Sequence, residues 1–164
     1  TREPVADLRA LLEFLRLNSE TLGIDAGRIG LFAGSGNVPN ALSAVMDGGI
    51  KAAAFSCGFT LDFEGSTVVA DAARTYGFVN PAAGKSVEDL PKDVPLLLVR
   101  AGQDQFAGLN ESMDRFIANA LASNLPITVI NHASGPHAFD LFDETETSRR
   151  IIRDVLAFLV ANVG

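Results

Sequence analysis

The sequence holds one cysteine and two histidines among 164 residues. A structural zinc site draws on four such ligands at motif spacing, so no metal centre and no cofactor is expected. The single thiol, Cys57, cannot close an internal disulfide and reads as a buried inert side chain; a reducing cytoplasm is the expected location. Basic residues are also scarce. Thirteen Lys and Arg stand against twenty Asp and Glu, a formal charge of -7. Such a surface repels phosphate backbones, which argues against nucleic acid as a partner. Long apolar runs are missing as well: Ala52 to Phe55 and Pro95 to Val99 fall far short of a membrane span. No signal-peptide pattern, internal repeat or low-complexity stretch is present. The chain opens on Thr1, which implies that something upstream was removed or never included.

What is there is an ordinary globular balance, 48% apolar and 20% charged, in a length suited to one domain. Leu8, Leu11, Leu12, Leu15 and Leu22 recur at helical spacing over Asp7 to Leu22, closed by Gly23. Arg28 to Phe32 reads as a buried strand, stopped by Ala33-Gly34-Ser35-Gly36-Asn37. A helix follows over Pro39 to Met46, then a strand over Ile50 to Cys57. Phe59 to Leu90 is a mixed excursion with one helix around Val68 to Tyr76, placed to form part of a pocket rim or lid. Pro95 to Arg100 is the clearest strand. A helix over Asn110 to Ala122 turns Met113, Phe116, Ile117 and Ala120 inward. Ile127 to Ile130 is a fourth strand, and Thr147 to Val160 a last helix with Ile151, Ile152, Val155, Leu156 and Leu159 on one side. Strand alternating with helix predicts an α/β fold: a parallel sheet of about four strands with helices on both faces.

In open parallel sheets, reactive groups gather in the loops that follow the strands' C-terminal ends. Three such loops carry Gly34-Ser35-Gly36, Gly102-Gln103-Asp104 and His132-Ala-Ser-Gly-Pro-His137. A hydroxyl, a carboxylate and an imidazole are thereby set along one sheet edge. A serine hydroxyl attacks poorly until an imidazole takes its proton, and the imidazole needs an acid to hold its tautomer. A sharp strand-to-helix turn presents the hydroxyl and leaves N–H groups for an oxyanion, and it requires small neighbours. Each residue also has a plainer reading. Asp104 could cap the following helix, with Asp62 as rival acid; His137 could be a capping or packing residue. His132, nearer its strand, reads as structural, and Asp140 as a local cap or ion-pair partner. Phe59, Phe106 and Phe139 adjoin the loops as core residues or as walls of an acyl pocket. A dinucleotide fingerprint is excluded, because position 39 is Pro where the third glycine would fall.

The run Gly-Ile-Asp-x-x-Arg-Ile-Gly-Leu-Phe-Ala-Gly-Ser-Gly resembles the approach to the nucleophile elbow of α/β-hydrolases of the esterase and dienelactone-hydrolase type. The chain order Ser, Asp, His, the Gly-x-Asp after a strand and Gly-Pro-His-Ala-Phe-Asp near the C-terminus resemble that family too. The resemblance implies Ser35 as nucleophile, Asp104 as acid, His137 as base and the Gly36 N–H as an oxyanion donor. Gly34 and Asn37, beside the serine, and Phe59 and Phe106, beside the loops, are further oxyanion or substrate-binding candidates. It implies hydrolysis of a small carboxylic ester through an acyl-enzyme; serine in place of the dienelactone hydrolases' cysteine favours the esterase. A peptidase or thioesterase would share the triad. The alternative from another class is a non-catalytic hydrolase remnant serving in binding or assembly.

Two departures stand out. Ala33 and Asn37 replace the outer glycines of Gly-x-Ser-x-Gly. Only 34 residues precede Ser35, too few for the strands and the oxyanion loop that the family places there. Loss of one oxyanion donor costs about 10²- to 10³-fold in rate. The first strand would also be left as an apolar edge, so a second copy of the chain or an upstream segment is expected to cover it.

Overall fold

The computed structural model describes residues 3–164, so that Thr1 lies outside the described residues. Helices α1 (Glu3–Leu17) and α2 (Ser19–Leu22) lead into strand β1 (Gly30–Gly34) and a single 3-10 turn, Ser35–Asn37. Helix α3 (Val38–Asp47), strand β2 (Ala52–Ser56) and helix α4 (Val68–Tyr76) follow, then a 3-10 turn at Val87–Asp89. Strand β3 (Leu96–Ala101), helix α5 (Leu109–Ala122), strand β4 (Ile127–His132) and helices α6 (Phe139–Phe142) and α7 (Glu146–Val163) complete the order. The four strands form one sheet in the order β1-β2-β3-β4, every neighbouring pair parallel.

Strand side chains alternate between faces, and the alternation sorts the core into two layers. Ala53, Phe55, Leu96 and Leu98 pack with Leu12 of α1, Leu42 and Val45 of α3 and Phe116 and Ala120 of α5. Ala54, Leu97, Val99 and Ala101 face the other way, onto Phe139 and Ile151 and Val155 of α7. Strands buried on both faces read as continuous apolar runs, which is why β2 and β3 were legible without alternation.

Differences from the sequence expectations are local. The first helix breaks at Asn18, whose side-chain amide donates to the Phe14 carbonyl, and α2 ends on Gly23 in the left-handed region (φ 65°). Leu11 and Leu22 are exposed rather than inward, as is Leu156 in α7. Strand β1 runs through Ala33 and Gly34 instead of stopping before them, because both pair in register with Phe55 and Ser56 of β2. That strand is a sheet edge. Phe32 is 47% exposed and, with Phe139, Ile152, Val155, Leu156 and Leu159, lines an apolar groove of about 280 Å³ between β1 and α7. No helix among the described residues is long and apolar enough to cross a membrane.

Candidate active site

The three loops identified from the sequence converge. His137 Nε2 lies 2.9 Å from Ser35 Oγ, and His137 Nδ1 lies 2.6 Å from Asp104 Oδ2. A carboxylate can only accept, so the short contact fixes Nδ1 as the protonated nitrogen and leaves Nε2 to accept from the Ser35 hydroxyl. The Asp104 side chain is wholly buried, and its other oxygen accepts from the Phe106 N–H at 3.0 Å. Backbone bonds tie the Asp104 loop to the His137 loop: Gly102 N donates to the His132 carbonyl and Gln103 N to the Gly135 carbonyl, at 2.8 and 2.9 Å.

Ser35 is held at φ 56°, a conformation that residues with a Cβ seldom adopt. It is the bend between β1 and the 3-10 turn, and it lifts the hydroxyl clear of the sheet. Asn37, in place of the outer glycine, is right-handed helical (φ -85°, ψ -12°) and exposed; the bend falls on Ser35. Gly34 is extended, and Gly36 is the middle residue of the 3-10 turn, whose first N–H groups lack helical partners. A Cβ on Gly36 would stand 2.9 Å from the Phe78 ring, so glycine is what lets that ring close over the turn. The start of α1 also reaches the site: Asn40 Nδ2 donates to the Pro4 carbonyl, and Pro4, Gly36, Asn37, Asn40 and Phe78 line a cavity of about 270 Å³.

The remaining candidates separate cleanly. Asp62 does not join the site; its carboxylate accepts from the Val69 and Ala70 N–H groups and caps α4. His132 is buried, with Nε2 2.8 Å from Ser148 Oγ, whose hydroxyl donates to Asp143. That bond is the main reason the Asp143 carboxyl is held below its ordinary range. Asp140 sits in the first turn of α6 with no ion pair among the described residues. Cys57 is buried, and burial pushes its thiol up despite a contact with Ser56. It is closer to the site than the sequence suggested: the donor atoms of Cys57, Asp104 and His137 all lie within 4.8 Å of one another. Phe139 packs in the core against His132. Phe59 is buried, whereas Phe106 lies over the His137 ring with centroids 4.4 Å apart. Tyr76 and Phe78, beside Gly77 at the end of α4, were missed; their aromatic character next to a helix stop was the available signal.

A parallel sheet whose C-terminal edge carries this Ser-His-Asp chain is the fold of the α/β-hydrolases, in its C-terminal part. The chain is similar to carboxyl esterase 2 from the mycorrhizal fungus Tuber melanosporum, at 17% identity and a TM-score of 0.76, over 94% of this chain and 60% of that one. A bacterial heroin esterase is 15% identical with a TM-score of 0.75, over 98% of this chain and 60% of its own. A thermostable esterase from Pseudomonas putida is 12% identical with a TM-score of 0.76, over 98% and 59%. The chain therefore spans about three fifths of the length of these structures. No protein-family model matches it, and no curated protein matches it significantly.

Proposed function

We propose that the protein is a serine hydrolase of small carboxylic esters. The observation that carries this reading is the unbroken hydrogen-bond chain from Ser35 Oγ through His137 to a wholly buried Asp104 carboxylate. In the reaction Ser35 Oγ bonds to the ester carbonyl carbon while its proton passes to His137 Nε2. The carbon–oxygen bond to the alcohol then breaks and His137 returns the proton to the departing oxygen. Water, deprotonated by the same nitrogen, releases the acid and restores the serine. Asp104 holds the imidazole in the tautomer that can accept, and the Gly36 N–H is the donor assigned to the charge that develops on the carbonyl oxygen. No step calls for a metal or organic cofactor. The open apolar edge of β1 supports a further element of the reading, a covering strand from a second copy or an upstream segment, which native mass would report.

Labelling with a fluorophosphonate probe, beside a Ser35→Ala control, tests the assignment. Adduct formation that vanishes in the control is expected. Absence of labelling in folded protein would overturn the assignment and favour a scaffold that binds without turnover.

A further inference from the structure

Aromatic rings border the nucleophile in a continuous arc. Phe106 leans over the His137 imidazole at 4.4 Å, and Tyr76 meets Phe106 edge-to-face at 5.0 Å and 86°. Phe59 links Tyr76 to Phe78 through stacked contacts at 6.2 and 5.2 Å, and Phe78 closes the arc against Gly36. Core packing accounts for Phe59, which is buried, but not for the two outer rings. Tyr76 is 46% exposed and Phe106 38%, so surface stays open on the ring that touches the imidazole and on the ring that meets it edge-to-face.

The position of that surface has a chemical meaning under the ester-hydrolase reading, on which the inference rests. His137 Nε2 must return a proton to the departing alcohol oxygen, so the alcohol half of the ester lies on the imidazole's side of Ser35. Phe106 and Tyr76 are the rings on that side. We propose that they form a platform for the aromatic ring of the alcohol moiety, making benzyl-type esters of small acids the preferred substrates. Aromatic pairs gain free energy beyond what their buried area supplies, so the platform favours a flat ring over a saturated group of the same size.

Tyr76 is the only tyrosine in a chain without tryptophan, so intrinsic fluorescence reports on the platform alone. In Ser35→Ala protein, titration with benzyl acetate is expected to change Tyr76 emission saturably. Cyclohexylmethyl acetate, matched in size but lacking a π face, should bind about 2- to 10-fold more weakly. Phe106→Leu keeps apolar bulk at a partly exposed position and should erase that difference. No saturable change, equal binding of the two esters, or an unaltered preference in Phe106→Leu would each overturn the platform. Wild-type turnover separates the two readings. Preferential binding of benzyl acetate without hydrolysis would sink the hydrolase and leave the platform standing. Hydrolysis of both esters with equal KM would do the reverse.

Discussion

Asp104→Asn is nearly isosteric, and the geometry dictates which way the amide must turn. Asp104 Oδ1 accepts from the Phe106 N–H at 3.0 Å, and Oδ2 faces His137 Nδ1 at 2.6 Å. Only a carbonyl oxygen can satisfy the Phe106 N–H, so the asparagine keeps its oxygen there and turns its NH₂ toward the imidazole. Nδ1 must then accept, which moves the ring proton to Nε2, facing Ser35 Oγ. A protonated Nε2 cannot take the serine proton. An acid replaced in this way in a Ser-His-Asp relay costs about 10⁴-fold in kcat, equivalent to about 5.5 kcal/mol of barrier. The assay pairs ester turnover with ¹⁵N shifts of the His137 ring, whose two nitrogens should exchange protonated and bare character in the variant. Folding should be spared, because volume and the Phe106 bond are retained. A folded Asp104→Asn keeping more than about a tenth of wild-type turnover, or still protonated at Nδ1, would refute the reasoning.

Gly58→Ala would place a methyl 2.1 Å from Val38 Cγ2 and 3.0 Å from the Ser35 carbonyl oxygen. It is expected to cost about 1–3 kcal/mol in urea melts and to slow probe labelling by displacing the serine turn. Asp143, held below the ordinary aspartate range chiefly by Ser148 Oγ, stabilises the fold fully above that range and loses its contribution as pH falls through the depressed value. Asp143→Asn should therefore be less stable than the parent near neutral pH and converge with it on acidification, as followed by denaturant midpoints.

Most of the architecture was legible because its signals are strong and local. Leu-Leu-Leu-Val of β3 and the Ala-rich run of β2 are apolar throughout, as strands buried on both faces must be. Gly23 marks a helix end by its own chemistry, adopting the left-handed region where the helix stops. Ser35, Asp104 and His137 could be singled out as candidates for a topological reason: parallel strands set their following loops on one edge. What remained hidden depends on contacts between segments distant in sequence. Asp62 lies after a strand like Asp104, yet it is spent on the start of α4, seven and eight residues on, a choice no local pattern announces. Leu156 continues the apolar stripe of α7 but lies beyond the edge of a sheet that ends at β1. Tyr76 and Phe78 reach the site only because α4 folds back over it.

Unusual backbone conformations gather at the sheet edge that carries the candidate site. Among the described residues, five other than glycine have positive φ, and three of them, Ser35, Cys57 and Ala138, lie in or beside the hydrogen-bonded group of Ser35, His137 and Asp104. The sheet beneath holds them in place, and Ser35 offers a direct measure of the cost. Ser35→Ala and Ser35→Gly both remove the hydroxyl, so both should be unlabelled by the probe. Alanine keeps a Cβ in the left-handed region, a penalty of roughly 1–2 kcal/mol that glycine escapes. Glycine in turn gives up about 0.5–1 kcal/mol through the greater freedom of its unfolded chain. The difference leaves Ser35→Gly more stable than Ser35→Ala by up to about 1.5 kcal/mol, measurable as a shift in urea midpoint at unchanged m-value. Were the alanine variant the more stable of the two, the turn at Ser35 would not be strained, and the sheet edge would be holding its serine at no cost.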